Sequence, residues 1–179
     1  MGIETITREI TGRSHTTLAS IDRAQLIKMR NKGLRDCFKH LEDIPHKMEF
    51  VARIQDKCFI DDAASRNVNA TWYALESIEG SVIWITNGKQ DPANYSKLKP
   101  IVGQKVKMIL CVGDESESMR KAFDGIVTKI IDCPTMEYAV NRALYSNIET
   151  ATVIYSPAAE HPDGSQCDYS EFRREVCEL

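Results

Sequence analysis

From residue 57 onward the chain sets short apolar runs at near-regular intervals, beginning near residues 57, 81, 105, 126 and 150. They read KCFID, SVIWIT, KVKMILCV, IVTKIID and TATVIYS. Each has the length and β-branched content of a strand. Between them, apolar residues recur at helical spacing, as in Val68, Thr71, Trp72 and Leu75. A strand that is apolar at nearly every position must be covered on both faces, and the intervening helices can cover it. The pattern therefore predicts an α/β fold, a Rossmann-like and mostly parallel sheet of about six strands with helices on both faces. The additional strand is MEFVARIQ, which Asp56 turns back into KCFID as an antiparallel hairpin. Helices are predicted over 68–78, 95–102, 115–123, 135–146 and 171–177.

The first 45 residues differ in character. Residues 1–17 are polar and rich in Thr, and residues 20–41 carry a helical pattern with a stripe of Leu34, Cys37, Phe38 and Leu41. Gly33 breaks or kinks that helix. Its basic residues, Arg23, Lys28, Arg30, Lys32, Arg35 and Lys39, read as a solvated face. The change near Pro45 divides the chain into a lead-in with a helical segment, 1–45, and a main domain, 46–179.

Composition sets outer limits on function. A net charge of -3 gives no basic surface for nucleic acid or for a membrane. No apolar run approaches the roughly 18 residues of a membrane span, and the N-terminus has no signal-peptide core. The expectation is a cytoplasmic protein. The six cysteines contain no CxxC pair. Cys58, Cys111 and Cys133 lie in or beside apolar runs and read as buried thiols rather than disulfides or zinc ligands.

The stretch KCFIDDAASRNVNATWYAL (57–75) is the best place to look for chemistry. It reads as strand, polar turn, helix, and open α/β sheets bind ligands at such carboxyl ends. Asp61 and Asp62 have the hard oxygens to hold Mg²⁺ or to orient a sugar hydroxyl. On local pattern, an exposed helix cap is the simpler account of them. Two more polar loops, Asn87–Asn94 and Ser156–Asp168, fall at strand ends in this topology. Asn87-Gly88-Lys89 is no phosphate loop, because G-x-x-x-x-G-K-[ST] occurs nowhere in the sequence. Ser156 lies outside any G-x-S-x-G elbow. The four histidines, His15, His40, His46 and His161, have no metal spacing, and His46 and His161 read as surface residues in loops. Trp72 and Trp84 read as core.

Three segments together carry a family resemblance: HKMEFV (46–51), FIDDAASRN (59–67) and YSPAAEHPD (155–163), with NVNATWYALES and NYSKLK in support. In order and spacing they resemble the C-terminal domain of the bacterial Mur ligases, most closely the D-glutamate-adding branch of peptidoglycan synthesis. The resemblance covers about residues 33–179, with 32–41 matching the end of the family's central domain. It implies an ATP-dependent amide-ligase ancestry. In that family the phosphate loop sits in a central domain, and the C-terminal domain brings nucleotide contacts and the incoming amino acid.

By resemblance, the nucleotide-binding positions are His46, Lys47, Asp62, Arg66 and Asn67. The substrate-binding positions are Ser156, Ala158, His161 and Asp163. No catalytic residue and no metal ligand is assigned, and ATP or ADP with Mg is the cofactor implied. The departures are specific. Lys47 stands where the family has Arg, and the two are not equivalent at a phosphate. The family lysine that reaches the nucleotide phosphate is Ala64 here, and the family threonine is Arg66. The serine that binds the D-glutamate carboxylate falls at His161. The downstream Asn-Tyr-Glu-x-Arg-Gly is not recognisable in 166–173. Losing an ammonium beside a phosphate removes electrostatic stabilisation, often the largest catalytic contribution. The expectation is a stand-alone domain that binds a nucleotide, a cell-wall precursor or a protein without catalysis. The alternative is a working part of a D-glutamate-adding ligase, partnered by a protein with the other domains.

Overall fold

The computed structural model describes residues 28–33, 44–87, 91–113, 116–159 and 170–179. The chain divides into two units, Met1–Lys39 and His40–Leu179. In the first, residues 28–33 are helical, inside the predicted stretch; its stripe residues Leu34, Cys37 and Phe38 lie outside the described residues.

The second unit is built on a sheet of β1 (Glu49–Ile54), β2 (Lys57–Asp61), β3 (Ser81–Thr86), β4 (Val106–Val112), β5 (Ile130–Cys133) and β6 (Ala151–Tyr155). The strand order is β1-β2-β6-β3-β4-β5. Only β1 and β2 pair antiparallel; every other pair is parallel. The hairpin turns tightly at Gln55, whose φ of 54° lies in the left-handed region. Asp56 then ties the hairpin to the start of β6 by accepting from the Thr150 N–H at 2.8 Å.

Helices α1 (Val68–Ser77), α2 (Lys99–Lys105), α3 (Glu117–Phe123), α4 (Met136–Leu144) and α5 (Glu171–Cys177) cover both faces, with a 3-10 turn at Asn94–Leu98. The chain moves outward along the sheet from β2 to β5, then returns to place β6 between β2 and β3. With right-handed crossovers, that reversal puts the returning helix on the opposite face. Thus α1, the 3-10 turn, α2 and α3 form one layer, and α4 with α5 form the other. The central strands divide their side chains accordingly. Ile83 and Ile85 pack with Val140, Ala143, Phe172 and Val176 of α4 and α5. Trp84, one position out of phase, meets Phe123 edge-on at 5.9 Å on the other side.

Three predicted boundaries shift. The segment predicted as a helix over 95–102 is a 3-10 turn followed by α2, which runs on to Lys105. Lys105 is therefore not in β4. Its ammonium reaches back to the carbonyls of Leu75, Glu76 and Ile78, capping the carbonyl end of α1. The strand predicted from residue 126 begins only at Ile130. The amides of Ile126 and Val127 both bond to the Phe123 carbonyl, so these residues still belong to the turn that ends α3.

Cys111 and Cys133 are buried free thiols and Cys58 is half-buried; Cys37 and Cys167 lie outside the described residues. Burial pushes Cys111 up to about 12 and Cys133 up to about 11, so neither is a reactive thiolate at neutral pH. Among the described residues, no helix is long and apolar enough to cross a membrane.

Candidate functional site

Strand register builds the site. Asp61 of β2 lies beside Tyr155 of β6, and Tyr155 lies beside Ile85 of β3. The next residues on β2 and β6, Asp62 and Ser156, therefore emerge side by side at the carboxyl edge. The ladder continues one step further, with Asp62 N–H bonding to the Tyr155 carbonyl at 2.9 Å and Ser156 N–H to the Ile85 carbonyl at 3.0 Å.

Asp62 is fully buried and its carboxylate is satisfied on both oxygens. The Lys47 ammonium donates to Oδ1 at 2.7 Å, and the Met48 N–H reaches the same oxygen at 3.3 Å. The Ser156 hydroxyl donates to Oδ2 at 2.8 Å. Ser156 Oγ also lies 2.8 Å from the Thr71 hydroxyl of α1. Lys47 bonds in addition to the Ser65 hydroxyl, and its side chain is 6% exposed. Burial pushes the Asp62 carboxyl up, and the Lys47 ammonium pulls it back. The exposed cap expected for Asp62 is thus replaced by a buried ion pair inside a hydroxyl network. The capping role falls to Asn67, whose side chain accepts from the Asn69 and Ala70 N–H groups at 3.0 and 2.9 Å.

Asp61 is buried beside this pair but serves a different contact. Its Oδ2 lies 2.7 Å from His46 Nδ1, and its Oδ1 accepts from Ala63 N–H at 3.0 Å. His46 is accordingly not the plain surface residue expected, since it packs half-buried against this carboxylate. Glu49 comes within 4.8 Å of His46 and Asp61, which makes this the one possible metal-ligand cluster among the described residues. Glu49 is paired with Arg173. Each carboxylate oxygen of Asp61 and Asp62 already has a protein partner, so a cation here would share those oxygens with His46, Ala63, Lys47, Met48 and Ser156.

The backbone framing these groups is tightly bent. His46, Met48 and Ala158 have φ values of 59°, 53° and 58°. Such left-handed residues are costly without glycine and are held by their surroundings. Here the His46 carbonyl accepts from Ala64 N–H at 3.0 Å, and Ala158 N–H donates to the Ser65 carbonyl at 3.1 Å. Ala158 is fully buried.

The predicted positions therefore separate into layers. Lys47, Asp62, Ser156 and Ala158 are interior; His46 is half-buried; Arg66 and Asn67 are exposed at the start of α1; His161 and Asp163 lie outside the described residues. Ala64, at the lysine position of the resemblance, is half-buried. In front of α1, Asn67, Val68, Asn69, Asn94 and Lys97 line a cavity of about 300 Å³. Asn94 is the last residue of the second predicted loop, and Lys97 comes from the segment predicted as the helix after it. Sequence reasoning missed Ser65 and Thr71 as network members and gave Trp84 no polar role. The Trp84 indole N–H donates to the Ser156 carbonyl at 2.8 Å, and the Thr86 hydroxyl donates to the Pro157 carbonyl at 2.9 Å. At the end of β3, both polar atoms of the Asn87 amide are buried without a hydrogen-bond partner among the described residues. Nothing in the sequence singles out that amide.

Two measurements separate these roles. Asn67→Ala removes the cap of an exposed helix end and should cost about 1 kcal/mol in urea denaturation. For Asp61, burial outweighs the His46 and Ala63 hydrogen bonds and pushes the carboxyl above its ordinary range. The folded chain then holds that proton more tightly than the unfolded chain. The contribution of Asp61 to stability is greatest below the ordinary aspartate range and declines as pH rises through the folded pKa. The stability of the native chain minus that of Asp61→Asn should therefore fall between acid and neutral pH. A difference that grows with pH would contradict this burial.

A six-stranded, mostly parallel sheet with helices on both faces is an α/β fold like that of the Mur ligase domains. The structure superposes on MurF of Acinetobacter baumannii with a TM-score of 0.53, at 12% identity, over 75% of this chain and 31% of that one. It also superposes on the bifunctional folylpolyglutamate synthase/dihydrofolate synthase of Yersinia pestis, solved with AMPPNP and a Mn ion, with a TM-score of 0.50, at 13% identity, over 76% of this chain and 31% of that one. No family model matches the chain. In sequence it is 32% identical over 169 residues to the UDP-N-acetylmuramoylalanine--D-glutamate ligase of Porphyromonas gingivalis, covering 92% of this chain and 37% of that enzyme. The enzyme of the same name from Christiangramia forsetii is 35% identical over 135 residues, 75% of this chain and 30% of its own length. The chain belongs with the Mur ligases, as a relative of their UDP-N-acetylmuramoylalanine--D-glutamate ligases. It spans about a third of the length of those relatives.

Proposed function

We propose that this chain is a binding member of the Mur ligase family that holds a nucleoside diphosphate and does not form an amide bond by itself. A diphosphate is common to ADP and to a UDP-linked cell-wall precursor, so one phosphate-binding surface serves either. The observation that carries the reading is the layering of the site. Lys47 and Asp62 are spent on each other in the interior, and the position that would carry the phosphate-directed lysine is Ala64. What faces outward is polar and cationic: Arg66 at the turn, and Asn69, Asn94 and Lys97 around the cavity in front of α1. This surface suits a phosphate group, with the start of α1 behind it. Among the described residues it presents no buried, preorganised cation of the kind that stabilises a developing charge. Magnesium, if it accompanies the nucleotide, is carried by the phosphates rather than by Asp61 or Asp62.

The second reading is a working part of an ATP-dependent D-glutamate-adding ligase, favoured by the 32% identity over 92% of the chain. One assay divides the two. The purified chain is incubated with ATP, Mg²⁺, UDP-N-acetylmuramoylalanine and D-glutamate, together with a purified D-glutamate ligase that lacks its own C-terminal domain, and amide product is measured. The binding reading predicts no product above background. ATP-dependent product that appears only when this chain is added would overturn it in favour of the ligase part.

A further inference from the structure

A second cavity, of about 490 Å³, opens at the amino ends of β4 and β5, across the sheet from the carboxyl edge that carries the Asp62 network. Its apolar lining comes from Met108 and Ile131, which lie on the face of the sheet that α4 covers. Two cations stand at its rim, Arg142 from the last turn of α4 and Lys129 from the residue before β5. Lys129 is oriented by the Asn147 side-chain carbonyl at 3.0 Å, and Arg142 has no carboxylate partner among the described residues. The Ser146 hydroxyl is buried in this lining without a hydrogen-bond partner among the described residues. Tyr145 projects beside it, 73% exposed.

Each feature has an ordinary explanation when taken singly. An arginine near a helix carbonyl end complements the macrodipole, and an exposed tyrosine is unremarkable. Their conjunction is more specific. The dipole of α4 does not require a second cation on another element, and it does not account for a buried hydroxyl left unsatisfied, which costs free energy. The lining is mixed, with an apolar strip beside convergent polar and cationic groups, and at this volume it suits a small amphiphilic molecule.

We propose that this cavity binds a small amphiphilic anion, an aromatic or similarly flat apolar body carrying one carboxylate or phosphate. The body lies on Ile131 and Met108 beneath the Tyr145 ring. The anionic head meets Arg142 and Lys129 and accepts a hydrogen bond from the Ser146 hydroxyl. The site is separate from the surface assigned to the nucleotide, and it stands or falls independently of that reading.

The test is an amide ¹H–¹⁵N titration of the full chain with phenyl phosphate, with benzoate, phenol and inorganic phosphate as parallel arms. The expected result is saturating shifts of the Ile130, Ile131, Arg142, Ser146 and Asn147 amides at millimolar phenyl phosphate. Arg142→Gln and Lys129→Gln, both surface changes that leave the core intact, should each weaken binding about tenfold. Phenol and inorganic phosphate, each carrying half of the chemistry, should bind at least about tenfold more weakly than phenyl phosphate. Benzoate binding more tightly than phenyl phosphate would assign a carboxylate head, and the reverse a phosphate head. Shifts that fail to saturate, that fall elsewhere, or that are unchanged in Arg142→Gln would overturn the proposal.

Discussion

Asp62→Ala lowers the stability of this fold by about 3–5 kcal/mol, because it leaves the Lys47 ammonium buried with no counter-charge. The carboxylate is completely inaccessible and the ammonium nearly so, so solvent screening offers little relief. The loss also strips the Ser156 hydroxyl and the Met48 N–H of their acceptor. Urea denaturation reads the change directly. Lys47→Met, which leaves the carboxylate unpaired instead, should be similarly costly. The double variant Lys47→Met/Asp62→Ala should cost less than the sum of the two, by up to about 3 kcal/mol, since no charge is then stranded. Strict additivity would mean that the two groups do not depend on each other. A loss below about 1 kcal/mol for Asp62→Ala would mean that the pair is solvated. The same result governs how the nucleotide hypothesis is tested: a binding defect in Asp62→Ala reports a damaged fold, so ligand contacts must be probed at Arg66 and Lys97.

Trp84→Ala is the second large effect. The indole is fully buried in the middle of the central strand, edge-on to Phe123, with its N–H on the Ser156 carbonyl. Truncation removes a large apolar contact and opens a cavity, and such changes cost about 3–5 kcal/mol. Trp84→Phe keeps most of the volume and gives up the hydrogen bond, so it should cost about 1–3 kcal/mol, in the range of an unsatisfied buried acceptor. If Trp84→Phe is as damaging as Trp84→Ala, the indole N–H rather than ring packing holds the β3–β6 junction.

The sheet was legible because its strands are unusually plain. SVIWIT and KVKMILCV are apolar on both faces, which only a doubly covered strand tolerates. The Asp56 turn likewise reveals the hairpin. Boundaries were missed where a long-range contact decided them: Lys105 belongs to α2 while its ammonium caps α1, an arrangement that no local window contains. The layering of the site was not legible. Asp62, Ser156 and Lys47 were named from the resemblance of HKMEFV, FIDDAASRN and YSPAAEHPD to the Mur ligases. That Lys47 would turn inward, rather than toward a phosphate, follows from the left-handed backbone at His46 and Met48 on either side of it. Neither residue is a glycine, so the sequence carries no mark of that bend. Asn67 shows the converse. Its role as a cap is a local property of helix starts, and local reasoning anticipates such caps.

The account turns on whether the outward surface at α1 binds a nucleotide while the inward network only supports it. The most direct measurement is isothermal titration calorimetry of the purified chain with Mg-ADP, repeated on Lys97→Ala and Arg66→Ala. The predicted result is a saturable one-to-one heat that weakens about tenfold in each variant, with both variants as stable as the native chain. No heat at millimolar Mg-ADP, or binding indifferent to both substitutions, would contradict the claim that this face holds a nucleoside diphosphate.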